Sequence, residues 1–172
     1  LVKDPDVLHI SPDYTVSATA DVSVATTGAF IAQQYGFSGT GIGIAVVDSG
    51  INDVPDLRNG RQSKIAYSES FVPGDSYTGD RYGHGTHIAG LLTGNGARSA
   101  GNKATLTFLG VAQGAHLINL RVLDATGKGT DSSVIQAIER AIQLKDQYNI
   151  RILNLSLGRP VFESYTVDPL NK

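Results

Sequence analysis

Residues 42–47, Ile-Gly-Ile-Ala-Val-Val, carry no polar side chain and lead straight into Asp48-Ser49-Gly50. An apolar run of this length without alternation, rich in β-branched residues, reads as a strand buried on both faces, so it demands a layer above and a layer below. Residues 65–71, 115–123 and 150–155 read as further strands, the last of them also buried. Helical patterns lie between them. A small-residue helix begins near His84 and runs to about residue 92. Farther on, Val134, Ile135, Ile138, Ala141, Ile142 and Leu144 recur at helical spacing behind Asp131 or Ser132, either of which can cap the start. Strands alternating with helices predict an α/β fold whose mostly parallel sheet is covered on both faces. Sites in such sheets form beyond the carboxyl ends of the strands. Asp48 stands at one such end and Ser156-Leu157-Gly158 at another.

The remaining segments connect these elements. Val7-Leu8-His9-Ile10 is a short β-like run stopped by Ser11-Pro12-Asp13, and residues 17–27 are small and polar, as in a linker. Phe30, Ile31, Gln34 and Tyr35 follow at helical spacing, with Gly36 as the stop. Loops are expected at 73–83 and 93–103. The 172 residues, 41% hydrophobic and 17% charged, suffice for one core and exclude a disordered chain. A net charge of −2 gives no reason to expect nucleic acid or an anionic membrane as partner. The chain has no Cys, which excludes disulfides and thiolate metal sites, and no apolar run long enough to span a bilayer as a helix. It opens on Leu1 without a leader pattern, so a processed or excised piece of a longer polypeptide is expected.

The chemistry concentrates in two strings. In Val46-Val47-Asp48-Ser49-Gly50, a carboxylate at a strand end can accept a hydrogen bond from an imidazole and hold its tautomer. In Gly83-His84-Gly85-Thr86-His87-Ile88-Ala89-Gly90, a His at a helix start is biased toward its neutral form and can act as a general base. Taken alone, Asp48 could cap a turn and His84 could bond to a loop. Gly39-Thr40-Gly41-Ile42-Gly43 precedes a strand instead of following one, so it is not a dinucleotide loop. Asn154-Leu155-Ser156 is a formal glycosylation sequon, but on a strand expected to be buried.

Together with Ile44-Ala45, Ile51, Pro55-Asp56-Leu57, Leu109-Gly110-Val111-Ala112, Arg121-Val122-Leu123 and Ile152-Leu153-Asn154-Leu155, these strings resemble the subtilisin-like serine proteases from about Gly39 onward. The resemblance implies a three-layer subtilisin-like fold, incomplete in this chain, and peptide-bond hydrolysis by an Asp-His-Ser triad. It implies Asp48 as the orienting acid, His84 as the base, and a structural, non-catalytic His87. It further implies that Gly127-Lys128-Gly129 and Ser156-Leu157-Gly158 flank an extended substrate as an added strand, with backbone groups giving affinity and side-chain pockets giving specificity. The family's nucleophile lies in a Gly-Thr-Ser motif and its oxyanion Asn follows a later strand. No Ser here has that context, and Asn95 and Asn102 stand in the wrong loop. The chain alone is therefore expected to be inactive, with the Ser in a C-terminal remainder, covalent or supplied as a second chain.

Residues 4–13 resemble the last strand of the family's inhibitory propeptide. The expected organisation is a propeptide end over 1–16, a linker or maturation region over 17–27 with a junction between Tyr14 and Ala20, and the N-terminal part of the catalytic domain over 28–172. A simple N-terminal strand of the mature enzyme is the competing reading. The implied partners are a polypeptide substrate, the C-terminal remainder and the chain's own propeptide; the implied location is secreted. No cofactor or catalytic metal is implied, although Asp56 matches a position that helps bind a structural calcium. Two alternatives stay open. One is an inactive relative or fragment that binds a peptide or partner protein. The other is a metal hydrolase using His84 and His87 with Asp48 or Asp80.

Overall fold

A computed structural model describes residues 12–13, 15–18, 27–101 and 107–171; the run at 7–10 and Asn102 fall outside them. In chain order the elements are β1 (Thr15–Ala18), α1 (Ala29–Gln34), β2 (Gly43–Asp48), the short hairpin β3 (Arg58–Asn59) and β4 (Gln62–Ser63), β5 (Ile65–Ser70), α2 (His84–Thr93), β6 (His116–Arg121), β7 (Lys128–Thr130), α3 (Asp131–Gln143), β8 (Ile150–Leu155) and β9 (Leu157–Gly158). The run at 42–47 becomes β2, shifted by one residue, and every residue of it is buried. The main sheet has the order β5-β6-β2-β8, and all its pairings are parallel.

Period-two alternation along β2 divides the core. Ala45 and Val47 face one side, packing with Ile118 and Leu120 of β6 against Val134, Ala137 and Ala141 of α3. Ile44 and Val46 face the other side, with Leu117, against Ile88 and Ala89 of α2. Two helices on opposite faces of a parallel sheet give the expected three layers. The same alternation decides the site: Asp48, two residues beyond Val46, points to the α2 side.

The structure differs from the sequence reading in three places. The cap of α3 is Thr130, whose hydroxyl accepts from Ser133 N, so Asp131 and Ser132 belong to the first turn. Ser17 and Ala18 are strand residues and not linker, because β1 pairs antiparallel with β7 on one side and β9 on the other. Strand β8 forms as expected, but it is not buried. Only Ile150 is covered, and Ile152, Leu153 and Leu155 are 48%, 38% and 44% exposed. The other strand-pairing edge of β2 goes to β6, which leaves β8 at the margin of the sheet. The stop after α1 is as read: Gly36 adopts φ 83°, where side chains are strained, and its N–H caps Gln33 O.

Candidate active site

Asp48 ends β2 with its side chain 1% exposed, and His84 opens α2 directly across from it. His84 Nδ1 lies 2.8 Å from Asp48 Oδ1 and 3.0 Å from Oδ2. Ser49 N donates to Oδ1 at 2.7 Å. Burial pushes the Asp48 carboxyl above the ordinary aspartate value, and the hydrogen bonds from His84 and Ser49 offset part of that. A carboxylate can only accept, so the neutral imidazole must carry its proton on Nδ1. Nε2 is then left with a lone pair. It is buried and, among the described residues, has no hydrogen-bond partner. A buried acceptor of this kind is completed by a donor such as a hydroxyl.

Two glycines make the approach possible. Gly83 sits at the helix N-cap with φ 101°, a region that side chains rarely adopt. A Cβ on Gly85 would come within 2.2 Å of Gly50 O and 3.2 Å of Asp48 Oδ1, so only a glycine lets α2 close on the end of β2. His87, one turn along, is exposed.

The loop before α2 is held by side chains from β6. Arg121 is fully buried and donates through Nη1 to Asp75 Oδ2 (3.0 Å) and Tyr77 O (2.5 Å), and through Nε to Leu123 O. Asn119 Nδ2 donates to Thr78 O at 2.8 Å. The sequence alone anticipates none of these contacts: it marks Arg121 only within a matched string, Asp80 only as an alternative metal ligand and Asp13 only in a strand stop, and Asn119 and Asn52 have no part in it. Their local signal is a polar residue inside an otherwise apolar strand, or an Asp shortly before the helix.

Strand β1 runs across the carboxyl edge of the sheet in a three-stranded antiparallel unit, order β7-β1-β9. Thr15, Val16 and Ser17 oppose Thr130, Gly129 and Lys128; Ser17 and Ala18 oppose Gly158 and Leu157. Of the six residues expected to flank a substrate, Lys128, Gly129, Leu157 and Gly158 thus hold a strand between them. Gly127 and Ser156 lie next in line but outside the observed ladder. Gly127 lies against the Tyr82 ring, and Ser156 Oγ bonds to Asn154 Oδ1. Just ahead of β1, Asp13 accepts from Ser132 N (2.9 Å) and Ser132 Oγ (2.6 Å) at the start of α3. Partial burial raises the Asp13 carboxyl, but the bonds from Ser132 and Thr130 outweigh it and hold the group below its ordinary value.

Around Asp56, Oδ1 accepts from Arg98 N, the Asp56 carbonyl from Asn95 N, and the Pro55 and Arg58 carbonyls from Asn95 Nδ2. Among the described residues, no three His, Asp or Glu side chains gather as metal ligands.

Known proteins resemble this chain over most of its length. A model of the subtilase family matches residues 39–171. M-protease of Shouchella clausii (strain KSM-K16) is 36% identical over 160 residues, and thermostable alkaline protease of Halalkalibacterium halodurans is 37% identical over 160. Minor extracellular protease Vpr of Bacillus subtilis is 37% identical over 165. The alignments cover 91%, 92% and 91% of this chain but 38%, 40% and 18% of those proteins, so the chain spans about two-fifths or less of their length. The chain belongs to the subtilase family, and its α/β architecture, with a mostly parallel sheet flanked by helices, is consistent with the subtilisin-like fold.

Proposed function

We propose that this chain is the N-terminal portion of a secreted subtilisin-like serine endopeptidase, in precursor form, and that its catalytic Ser lies in a C-terminal portion. The observation that carries the reading is the His84 imidazole: Nδ1 fixed on Asp48, Nε2 buried with its lone pair unpartnered among the described residues. In the reaction, Nε2 takes the proton of a Ser hydroxyl as the oxygen attacks the peptide carbonyl. It then returns that proton to the departing amine, and water repeats the cycle on the acyl-enzyme. Asp48 stabilises the imidazolium formed between those steps. Side chains carry each of these transfers, so the reaction draws on no cofactor. Oxyanion donors, like the Ser, belong to the C-terminal portion, which joins this chain covalently or as a second chain. By itself this chain lacks a route to acyl transfer.

The relatives' names as proteases support hydrolysis, and one being named extracellular supports secretion. The location of β1 supports the precursor reading. It fills the β7–β9 groove in the extended, hydrogen-bonded manner expected of a peptide substrate. We infer that it is the end of the chain's own propeptide, held in place by the Asp13 cap. The partner in the mature form is then a polypeptide substrate.

Peptide hydrolysis by the full polypeptide tests the reading. Activity is expected to fall by orders of magnitude in His84→Ala and in Asp48→Asn, with little change in folding. Undiminished hydrolysis in both variants would favour another catalytic centre. Peptide binding with no hydrolysis, once β1 has been removed, would favour a groove that binds without turnover.

A further inference from the structure

Asp80 is outside the acid–base pair, yet its carboxylate holds both halves of that pair. It is 7% exposed and accepts four hydrogen bonds. Oδ1 accepts from Ser49 Oγ (2.9 Å), Tyr82 N (3.0 Å) and Gly83 N (2.6 Å), and Oδ2 accepts from Thr86 N (2.8 Å). Three of these donors are backbone groups: Gly83 N and Thr86 N are left unsatisfied by the start of α2, where a negative charge is also favoured, and Tyr82 N lies one residue ahead of the cap. The fourth is different. Ser49 follows Asp48 at the end of β2, is fully buried, and gives its backbone N–H to Asp48 Oδ1. With its hydroxyl proton committed to Asp80, the Ser49 oxygen is turned into an acceptor, and it takes Gly85 N at 2.9 Å. Asn52 adds a second tie across the same gap. Its side chain brackets the Asp80 backbone through Nδ2 to O (2.8 Å) and Oδ1 from N (2.9 Å), while its own N–H donates to Thr86 Oγ1 (3.0 Å).

Bonds therefore run from Asp80 to the strand that carries the acid and to the helix that carries the base. We propose that Asp80, acting through Ser49, is a positioning residue that sets the spacing of Asp48 and His84 and so fixes the tautomer of His84. A carboxylate is the group this requires, because all four partners are donors. An amide in its place would turn an NH2 against N–H groups and release the direction of the Ser49 hydroxyl. A plain helix cap would satisfy the three backbone N–H groups and have no need of Ser49. The proposal rests on His84 being the base, as argued above.

The test uses the full polypeptide, 15N-labelled at histidine, as wild type, Asp80→Asn and Ser49→Ala. In wild type, the His84 nitrogens should read as a single Nδ1–H tautomer with a slowly exchanging Nδ1 proton. In both variants, that proton should exchange at least about tenfold faster and the tautomers should mix. On a peptide substrate, kcat should fall about tenfold or more with KM held within about twofold, the pattern of a displaced catalytic group. His87 and His116 serve as internal controls and should not change. Ser49→Ala leaves the three backbone N–H bonds to Asp80 intact, so it decides the matter even if Asp80→Asn fails to fold. An unchanged His84 tautomer, exchange rate and kcat in Ser49→Ala would overturn the proposal. The imidazole is read without turnover, so this proposal can fail while the protease reading stands, and the reverse.

Discussion

Strands β2 and β8 are hydrogen-bonded neighbours in one parallel sheet, yet their surroundings differ. All six residues of β2 are buried, and its last one is locked to α2 by the Asp48–His84 pair and the bonds around Ser49 and Asp80. On β8, three apolar side chains stand open at the sheet margin, and a shallow apolar groove runs between two of them, Ile152 and Leu153, and Ile138 and Ile142 of α3. The contrast separates two requirements of a triad enzyme. On the proposed reading, orienting the base is complete within these residues. Bringing up the nucleophile is not, and the open side of β8 is where the proposed C-terminal portion would continue the sheet.

The largest expected effect breaks the locked side. Gly85→Ala puts a methyl group into Gly50 O and against Asp48, so α2 must retreat from β2. In the full polypeptide we expect kcat/KM to fall by about 100-fold or more, since roughly 1 Å of misplacement has that consequence. Steady-state kinetics with a folding control checks this; near-normal activity would mean that the lock is slack.

The next effect sharpens the open side. Ile152→Ala in the full polypeptide should cost about 2–4 kcal/mol, as a core truncation does, whereas the exposure seen here by itself would give about 0.5 kcal/mol or less. Denaturant unfolding distinguishes the two values. Residues 1–172 expressed alone should associate and lack a cooperative transition, because the uncovered strand edge invites pairing. A sharp monomeric transition would remove the contrast.

A third test concerns β1. Asp13 is held below the ordinary aspartate value, so its ionised form favours the docked arm at any pH above the unfolded carboxylate range. That contribution is lost as pH falls through the lowered folded value. Proteolytic nicking near β1 should therefore stay slow at about pH 5 and accelerate only below the ordinary aspartate range. In Asp13→Ala it should already be faster at about pH 5, with the acid step diminished.

The smallest effect lies at the cap of α3. Thr130→Ala should cost about 1 kcal/mol, measurable by thermal unfolding.

Much of this was legible in the sequence. The unbroken apolar run at 42–47 gave a strand within one residue of its true bounds, and the small-residue string at His84 gave the helix that carries the base. The pairing of Asp48 with His84 followed from motif resemblance; the physical cause is the two-residue step from Val46 to Asp48, which turns the carboxylate toward α2. The pairing of β1 was not legible, because Thr-Val-Ser-Ala has no telling periodicity and its partners lie more than a hundred residues away. The cap at Thr130 was missed because Thr130, Asp131 and Ser132 are all competent capping residues in a row. The burial of β8 depends on what lies beside it, which local sequence cannot state. Asp80 was legible only as an alternative metal ligand beside His84, because the bonds it accepts from Ser49 and from the start of α2 join separate parts of the chain.

The central claim is that Asp48 and His84 form the proton-handling half of a site whose nucleophile is elsewhere. The most direct measurement is fluorophosphonate labelling of the full polypeptide with the adduct mapped by mass spectrometry, in wild type and in His84→Ala. A single adduct on a Ser outside residues 1–172, lost in His84→Ala, is the predicted result. An adduct on a Ser within residues 1–172, or labelling indifferent to His84, would contradict it.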